Sequence, residues 1–181
     1  QAQVCSGNLG NNIFEAGDFG AGMDNILQED PGIAPGYSYR SSPPPPDGTY
    51  IITNSLVPWN DRYDWPAISS DNSDDPNGYM MVVNASFDAG VFYEQQIDGL
   101  CENTLYVFSA DVLNIHPAGR NYIKPNVSFA IDGDVEFSTG DVPENGAWNT
   151  YGFTFTTGAG VTSVSLSLVN NAPGGIGNDL I

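Results

Sequence analysis

Hydrophobic and polar residues alternate with a period of two through most of the second half of the chain. In the run from Leu105 to Val112, Tyr106, Phe108, Ala110 and Val112 alternate with Leu105, Val107, Ser109 and Asp111. The even positions are apolar throughout and the odd ones turn polar half-way, the pattern of a strand with one buried face and one partly exposed face. A second β-rich run precedes it from Val91, across the short connection Asp98-Gly99-Leu100-Cys101-Glu102-Asn103, which carries turn residues at both ends. The two runs predict a hairpin at the centre of a sheet, not at its edge. The segment Thr104–Ile115 would span about 40 Å if extended, enough to cross a whole domain.

The same alternation recurs elsewhere. Val127, Phe129 and Ile131 share a face, and Asp132-Gly133 reads as a tight turn into Val135–Ser138. Tyr151, Phe153 and Phe155 alternate strictly, as do Val164, Leu166 and Leu168. Upstream, Tyr50–Thr53 and Gly78–Ser86 read as strands, and Ile13-Phe14 and the surroundings of Phe19 as short β-like pieces. Residues 23–48 read as loop; Pro43–Pro46 favours polyproline II geometry and a rigid surface connection, not a central strand. Residues 54–77 form a long irregular segment. No stretch of eleven or more residues has helical periodicity. Nine or ten strands with connections of very unequal length predict an all-β, two-sheet antiparallel jelly-roll sandwich. Its core should contain Phe108, Ala110, Val112, Phe129, Phe153, Phe155, Leu166 and Leu168.

Composition narrows the picture. A chain of 181 residues suits a single domain, residues 1–181, and 12% aromatic with 40% hydrophobic residues argues against disorder despite 21 Gly and 13 Pro. Arg40, Arg62, Arg120 and Lys124 are the only side-chain cations against 22 acids, a net charge of −18. That surface repels phosphate backbones and anionic lipid, which argues against nucleic-acid binding and membrane association. It fits solubility in a salty or extracellular medium, or carboxylates gathered around Ca²⁺. No apolar run reaches membrane-spanning length. Gln1-Ala2-Gln3 reads as the mature start of a secreted chain after signal-peptide removal. Cys5 and Cys101 are too few for a zinc or iron–sulfur site alone. In a secreted chain they suggest a disulfide; in a cytosolic one, two free thiols. Bonded to each other, they would tie the N-terminal segment to the turn after Ile97, worth about 4–5 kcal/mol in the chain-entropy model. The alternative is a bond from one of them to a cysteine beyond Ile181.

Four stretches, NGYMMVVNAS from Asn77, VFYEQQIDGLCENTLYVFSADV from Val91, KPNVSFAIDG from Lys124 and LVNNAPGGIGNDL from Leu168, resemble one domain family. It is the galactose-binding-like, carbohydrate-binding-module-type jelly roll of large secreted cell-surface proteins of Bacteroidetes, among them gliding-motility and type IX secretion cargo. The opening CSGNLGNNIFEAGDFGAG resembles the first segment of the same domains, while residues 23–48 and 54–73 match only loosely. The resemblance implies a sandwich fold and an extracellular setting; the architecture itself serves sugar binding, adhesion and spacing alike. In calcium-binding relatives, an aspartate of the closing strand and acids near the first strand hold a structural Ca²⁺. Here that set is Glu15, Asp18 and Asp179. The family's closing strand runs on past the NDL motif, whereas only Asp179-Leu180-Ile181 remains to build it here.

Catalysis is not expected. No spacing singles out a carboxylate pair, and His116, before Pro117, reads as a surface histidine without an orienting partner. Sugars present apolar faces that stack on exposed aromatics, with amides and carboxylates bonding the hydroxyls. The stretch PWNDRYDW from Pro58 supplies Trp59, Tyr63 and Trp65 as a stacking platform, with Arg62 and Asp64 as polar contacts. The competing role for either tryptophan is to pin the long loop to the core. Asn170–Gly175 reads as a structural turn. The expectation is a non-catalytic extracellular module recognising a glycan or cell-surface polysaccharide. The alternative is an adhesive or structural module of a surface filament or stalk, contacting other protein copies. The short closing strand, expected beside Ile13-Phe14, has three resolutions: a longer native chain of which this is the N-terminal module, self-association through a strand from another copy, or coverage of the edge by the proline-rich loop.

Overall fold

The computed structural model describes residues 12–13, 17–58 and 64–181. Nine strands and no helix occur among the described residues. β1 (Ser38–Tyr39), β2 (Thr49–Thr53) and β3 (Met80–Asn84) pair in that order. β4 (Gly90–Asp98), β9 (Ser163–Asn170), β6 (Asn126–Ile131) and β7 (Asp134–Asp141) form a second sheet, and β5 (Leu105–Val112) pairs with β8 (Asn149–Thr156). The first and third ladders are joined by the last residues of the chain. Leu180 bridges Val83 on one side and Asn114 on the other. The Val83 N–H donates to the Leu180 carbonyl at 2.9 Å, and Leu113 and Ile181 exchange both backbone bonds at 2.9 and 3.0 Å. The molecule is therefore an all-β sandwich: β1-β2-β3, the C-terminal residues and β5-β8 in one layer, β4-β9-β6-β7 in the other. Strand pairing is antiparallel except for the two-residue β1–β2 contact, which is parallel.

Two expectations about connectivity are corrected. The runs flanking residues 99–104 do not form a hairpin: β4 pairs with β9 and stands at the edge of its sheet, while β5 pairs with β8 in the other layer. The connection is too long for a two-residue hairpin turn, and Leu100 and Cys101 within it are buried. Hydrophobic burial in mid-connection pulls the chain over the end of the sandwich instead of letting it double back. The closing residues lie between β3 and the end of β5, not beside Ile13; Phe14 lies outside the described residues. By contrast, Asp132-Gly133 makes the expected tight turn between β6 and β7, both residues with positive φ (51° and 89°), the geometry that matches strand twist in a two-residue hairpin.

β2 and β3 are buried at every position, because they have apolar neighbours on both faces. Tyr50, Ile52, Met81 and Val83 face the inter-sheet core with Phe108, Val127, Phe129, Leu166 and Leu168. Ile51, Met80 and Val82 face outward, where Ile26, Leu56, Trp65, Leu113, Ile115 and Ile181 cover them in a second core. The irregular segment after β2 thus supplies the outer cover, anchored by the Leu56 N–H to the Ile68 carbonyl at 2.8 Å. Of the expected core, Phe108, Val112, Phe129, Leu166 and Leu168 are buried. Ala110, Phe153 and Phe155 are half-buried against it, since β8 closes the edge of its layer and has a neighbour on one side only.

Candidate functional site

Five segments converge at one end of the sandwich and enclose an open cleft of about 430 Å³. Asp47 comes from the turn before β2, and Asn84, Ala85 and Phe87 from the end of β3 and beyond. The segment after β5 brings His116 and Tyr122, the segment after β9 brings Gly175–Gly177 and Asp179, and the outer cover brings Asp64 and Trp65. Loops fixed on a rigid sandwich are where binding groups concentrate.

The floor is a buried ion-pairing contact. Asp179 Oδ2 lies 2.8 Å from His116 Nε2, and Asp179 Oδ1 accepts the Ala85 N–H at 2.8 Å. The His116 N–H donates to Asn114 Oδ1 at 3.0 Å, and the ring packs edge-on against Tyr122 with centroids 5.0 Å apart. Burial pushes the Asp179 carboxyl above the ordinary carboxylate value, the bonds from His116 and Ala85 pull it back, and nearby Asp47 adds to the rise. His116 is 7% exposed and has Asp179 as an orienting partner, which corrects the surface reading. Pro117 ends the segment, but the carboxylate on the closing strand, far away in sequence, decides where the imidazole goes. His116 Nε2 is occupied by Asp179, and Nδ1 is enclosed with no hydrogen-bond partner among the described residues. The pair thus clamps the closing residues to the segment after β5.

Polar and apolar side chains both line the cleft. Asp64 Oδ2 accepts the Tyr122 hydroxyl at 3.0 Å and pairs with Arg120 at 3.2 Å; the bond to Asp64 is the main cause of the raised Tyr122 pKa. Asn84 Nδ2 donates to the Pro45 carbonyl at 2.8 Å. Phe87 and Ile176, which also line the cleft, are 67% and 73% exposed. Phe87 rests on Gly174: a Cβ there would meet the Phe87 Cα at 2.5 Å, so only glycine allows this approach. Asn178 ties the same loop down, Nδ2 donating to the Pro173 carbonyl at 3.2 Å. The expected turn at Asn170–Gly175 is therefore real, and it also seats an aromatic ring.

The expected binding residues separate. Asp64 lies on the rim. Trp65 is 3% exposed and belongs to the outer core, so it is the pin of the long segment, not a stacking face. Trp59, Arg62 and Tyr63 lie outside the described residues. Of the acids expected around Ca²⁺, Asp179 lies in the cleft with both oxygens already bonded, whereas Asp18 lines a different cavity and accepts the Gly20 N–H at 3.0 Å. Among the described residues no group of three or more His, Cys, Asp or Glu could hold a metal. Glu15 lies outside the described residues, as does Cys5 of the expected Cys5–Cys101 bond. The sequence reading missed Phe87, Asp47, Asn84 and Tyr122. Phe87 left one signal, an aromatic in a Ser/Asp/Gly turn that breaks the strand alternation.

No family model matches the chain, and no curated protein matches it. Among solved structures it is similar to the C-terminal domain of EclA, a sugar-binding protein, at 20% identity and a TM-score of 0.40, covering 67% of this chain and 86% of that one.

Proposed function

We propose that the chain is a non-catalytic carbohydrate-recognition module that binds its ligand in the end cleft. The observation that supports this is the exposed Phe87 ring in the same cleft as the carboxylates of Asp47 and Asp64. A sugar ring laid on Phe87 would bury its C–H face, while Asp47, Asp64 and Asn84 accept hydrogen bonds from its hydroxyls. Trp59, Tyr63 and Arg62, which directly precede Asp64 in sequence, are proposed as additional contacts. An extracellular setting and a Cys5–Cys101 disulfide belong to the same reading. Glycan-array screening followed by titration calorimetry tests it. Phe87→Ala and Trp59→Ala should each weaken binding of the best glycan at least about tenfold, the scale of 1.4 kcal/mol, with the melting temperature unchanged. A chain that retains no glycan, or a Phe87→Ala variant that binds as well as the parent, rejects the cleft as a sugar site.

A further inference from the structure

The methionines of the chain stand in two very different environments. Met80 and Met81 lie in β3, 3% and 6% exposed, one in the outer core and the other in the inter-sheet core. Met23 is 89% exposed. That exposure does not come from a loose segment, because the backbone on either side of Met23 is tied down. The Gly22 N–H donates to the Asn77 carbonyl at 3.1 Å. Asn54 Nδ2 donates to the Gly22 and Asp24 carbonyls at 2.9 and 3.1 Å, and the Tyr79 hydroxyl donates to the Asp24 carbonyl at 2.9 Å. The fold therefore holds a thioether out in water on a fixed base. Its sulfur is also in polar contact, since Asn77 Nδ2 donates to Met23 Sδ at 3.7 Å. Asn77 has positive φ, 59°, and sits in the turn that the Gly78 N–H closes on the Asp75 carbonyl at 3.1 Å.

We infer that Met23 is a reversible oxidation site that takes an oxygen atom from a hydroperoxide, with Asn77 as the group that responds to its state. The reaction needs an accessible sulfur lone pair and no unfolding. A lone pair of Met23 Sδ attacks the terminal peroxide oxygen, and the S–O bond forms as the O–O bond breaks. The hydrogen of the transferred hydroxyl passes to the leaving oxygen, which departs as water or an alcohol; sulfur loses two electrons and the peroxide gains them. A dithiol reductant reverses the change, leaving as a disulfide and releasing the oxygen as water. Met80 and Met81 cannot follow without an opening of β3, and a sulfoxide at either would bury a polar group in a core. The thioether is a weak acceptor, whereas the sulfoxide oxygen is a strong one. Oxidation thus strengthens the bond from Asn77 and holds the turn at residues 75–78 more firmly to Met23.

The test exposes the whole 181-residue chain to dilute hydrogen peroxide and follows each methionine by peptide mass mapping. Expected is oxidation of Met23 at least about tenfold faster than of Met80 or Met81 in the folded chain, with the rates converging in urea. Resonances of the Asn77 side-chain amide should move downfield as Met23 oxidises, and exchange of the Gly78 amide should slow at least about threefold, the scale of one modest hydrogen bond. Both should return when sulfoxide reductases for the two epimers and a dithiol are added. Met23→Leu should keep the cooperative melt and lose the fast oxidation. Asn77→Asp, which accepts the same backbone geometry but has no side-chain donor, should keep the fast oxidation and lose the slowing at Gly78. Equal rates at the methionines of the folded chain, or faster reaction at Met80 or Met81, would overturn the site. Fast oxidation of Met23 with the Asn77 resonances and Gly78 exchange unmoved would overturn Asn77 as its responder.

Discussion

Trp65 and Phe87 are both large aromatics on irregular segments around the same cleft, yet one is 3% and the other 67% exposed. Burial sets what each can do. Trp65 packs among Ile51, Leu56, Met80 and Ile115, so Trp65→Ala should cost about 3–5 kcal/mol in urea unfolding, through lost burial and the cavity left behind. Phe87→Ala opens no core cavity and should leave the unfolding midpoint where it is. Asp179 is the other residue whose environment decides its behaviour. Its folded pKa is raised above the ordinary 3.8, chiefly by burial. The native state therefore holds this proton more tightly than the unfolded chain does. Its contribution is greatest at the acid end and falls as pH rises from about the unfolded value through the raised one. Thermal melts across the acid range should show the stability of the parent relative to Asp179→Asn declining as pH rises. A difference that grows with pH would contradict the raised value.

Among the elements, the closing residues matter out of proportion to their length. Leu180 is 2% exposed, belongs to the inter-sheet core and bridges Val83 of one ladder and Asn114 beside the other. Asp179 beside it is clamped from both sides by Ala85 and His116. Leu180→Ala removes a packed side chain at a joint of the layer, so a loss of about 2–5 kcal/mol is expected in chemical denaturation. Exchange should also rise at Val83 and Leu113, whose amides lie on either side of the joint. The arch between β4 and β5 shows why local pattern alone misleads. Its two strands alternate as hairpin strands would, but Leu100 finds its burial over the end of the sandwich, and pairing follows burial.

At the scale of the molecule, the net charge of −18 is spread over a chain with four side-chain cations. Self-repulsion of that size opposes the compact state and is screened by salt. The exposed Arg120–Asp64 pair is worth about 1 kcal/mol at most, too little to reverse the sign. Raising sodium chloride from low to physiological ionic strength should therefore raise the melting temperature, and a fall would show that attractive pairs outweigh repulsion. The same field bears on partners: it repels anionic polymers and leaves neutral ones unaffected.

The sequence by itself determined the class of fold, because period-two burial at Phe108, Val112, Phe129, Leu166 and Leu168 is a local property of each strand and needs no knowledge of its neighbours. It determined the Asp132-Gly133 turn for the same reason, since positive φ at adjacent positions is written in the residue types. It also marked Asp64 and the segment around it, because aromatics and acids gathered in an irregular stretch are visible without a fold. Only the tertiary structure decided which strands pair, that Trp65 is core, that Asp179 holds His116, and that Phe87 stands on Gly174. Each of these joins residues distant in the chain, and a pattern read along one dimension carries no information about which distant segment will cover an apolar face or answer a buried charge.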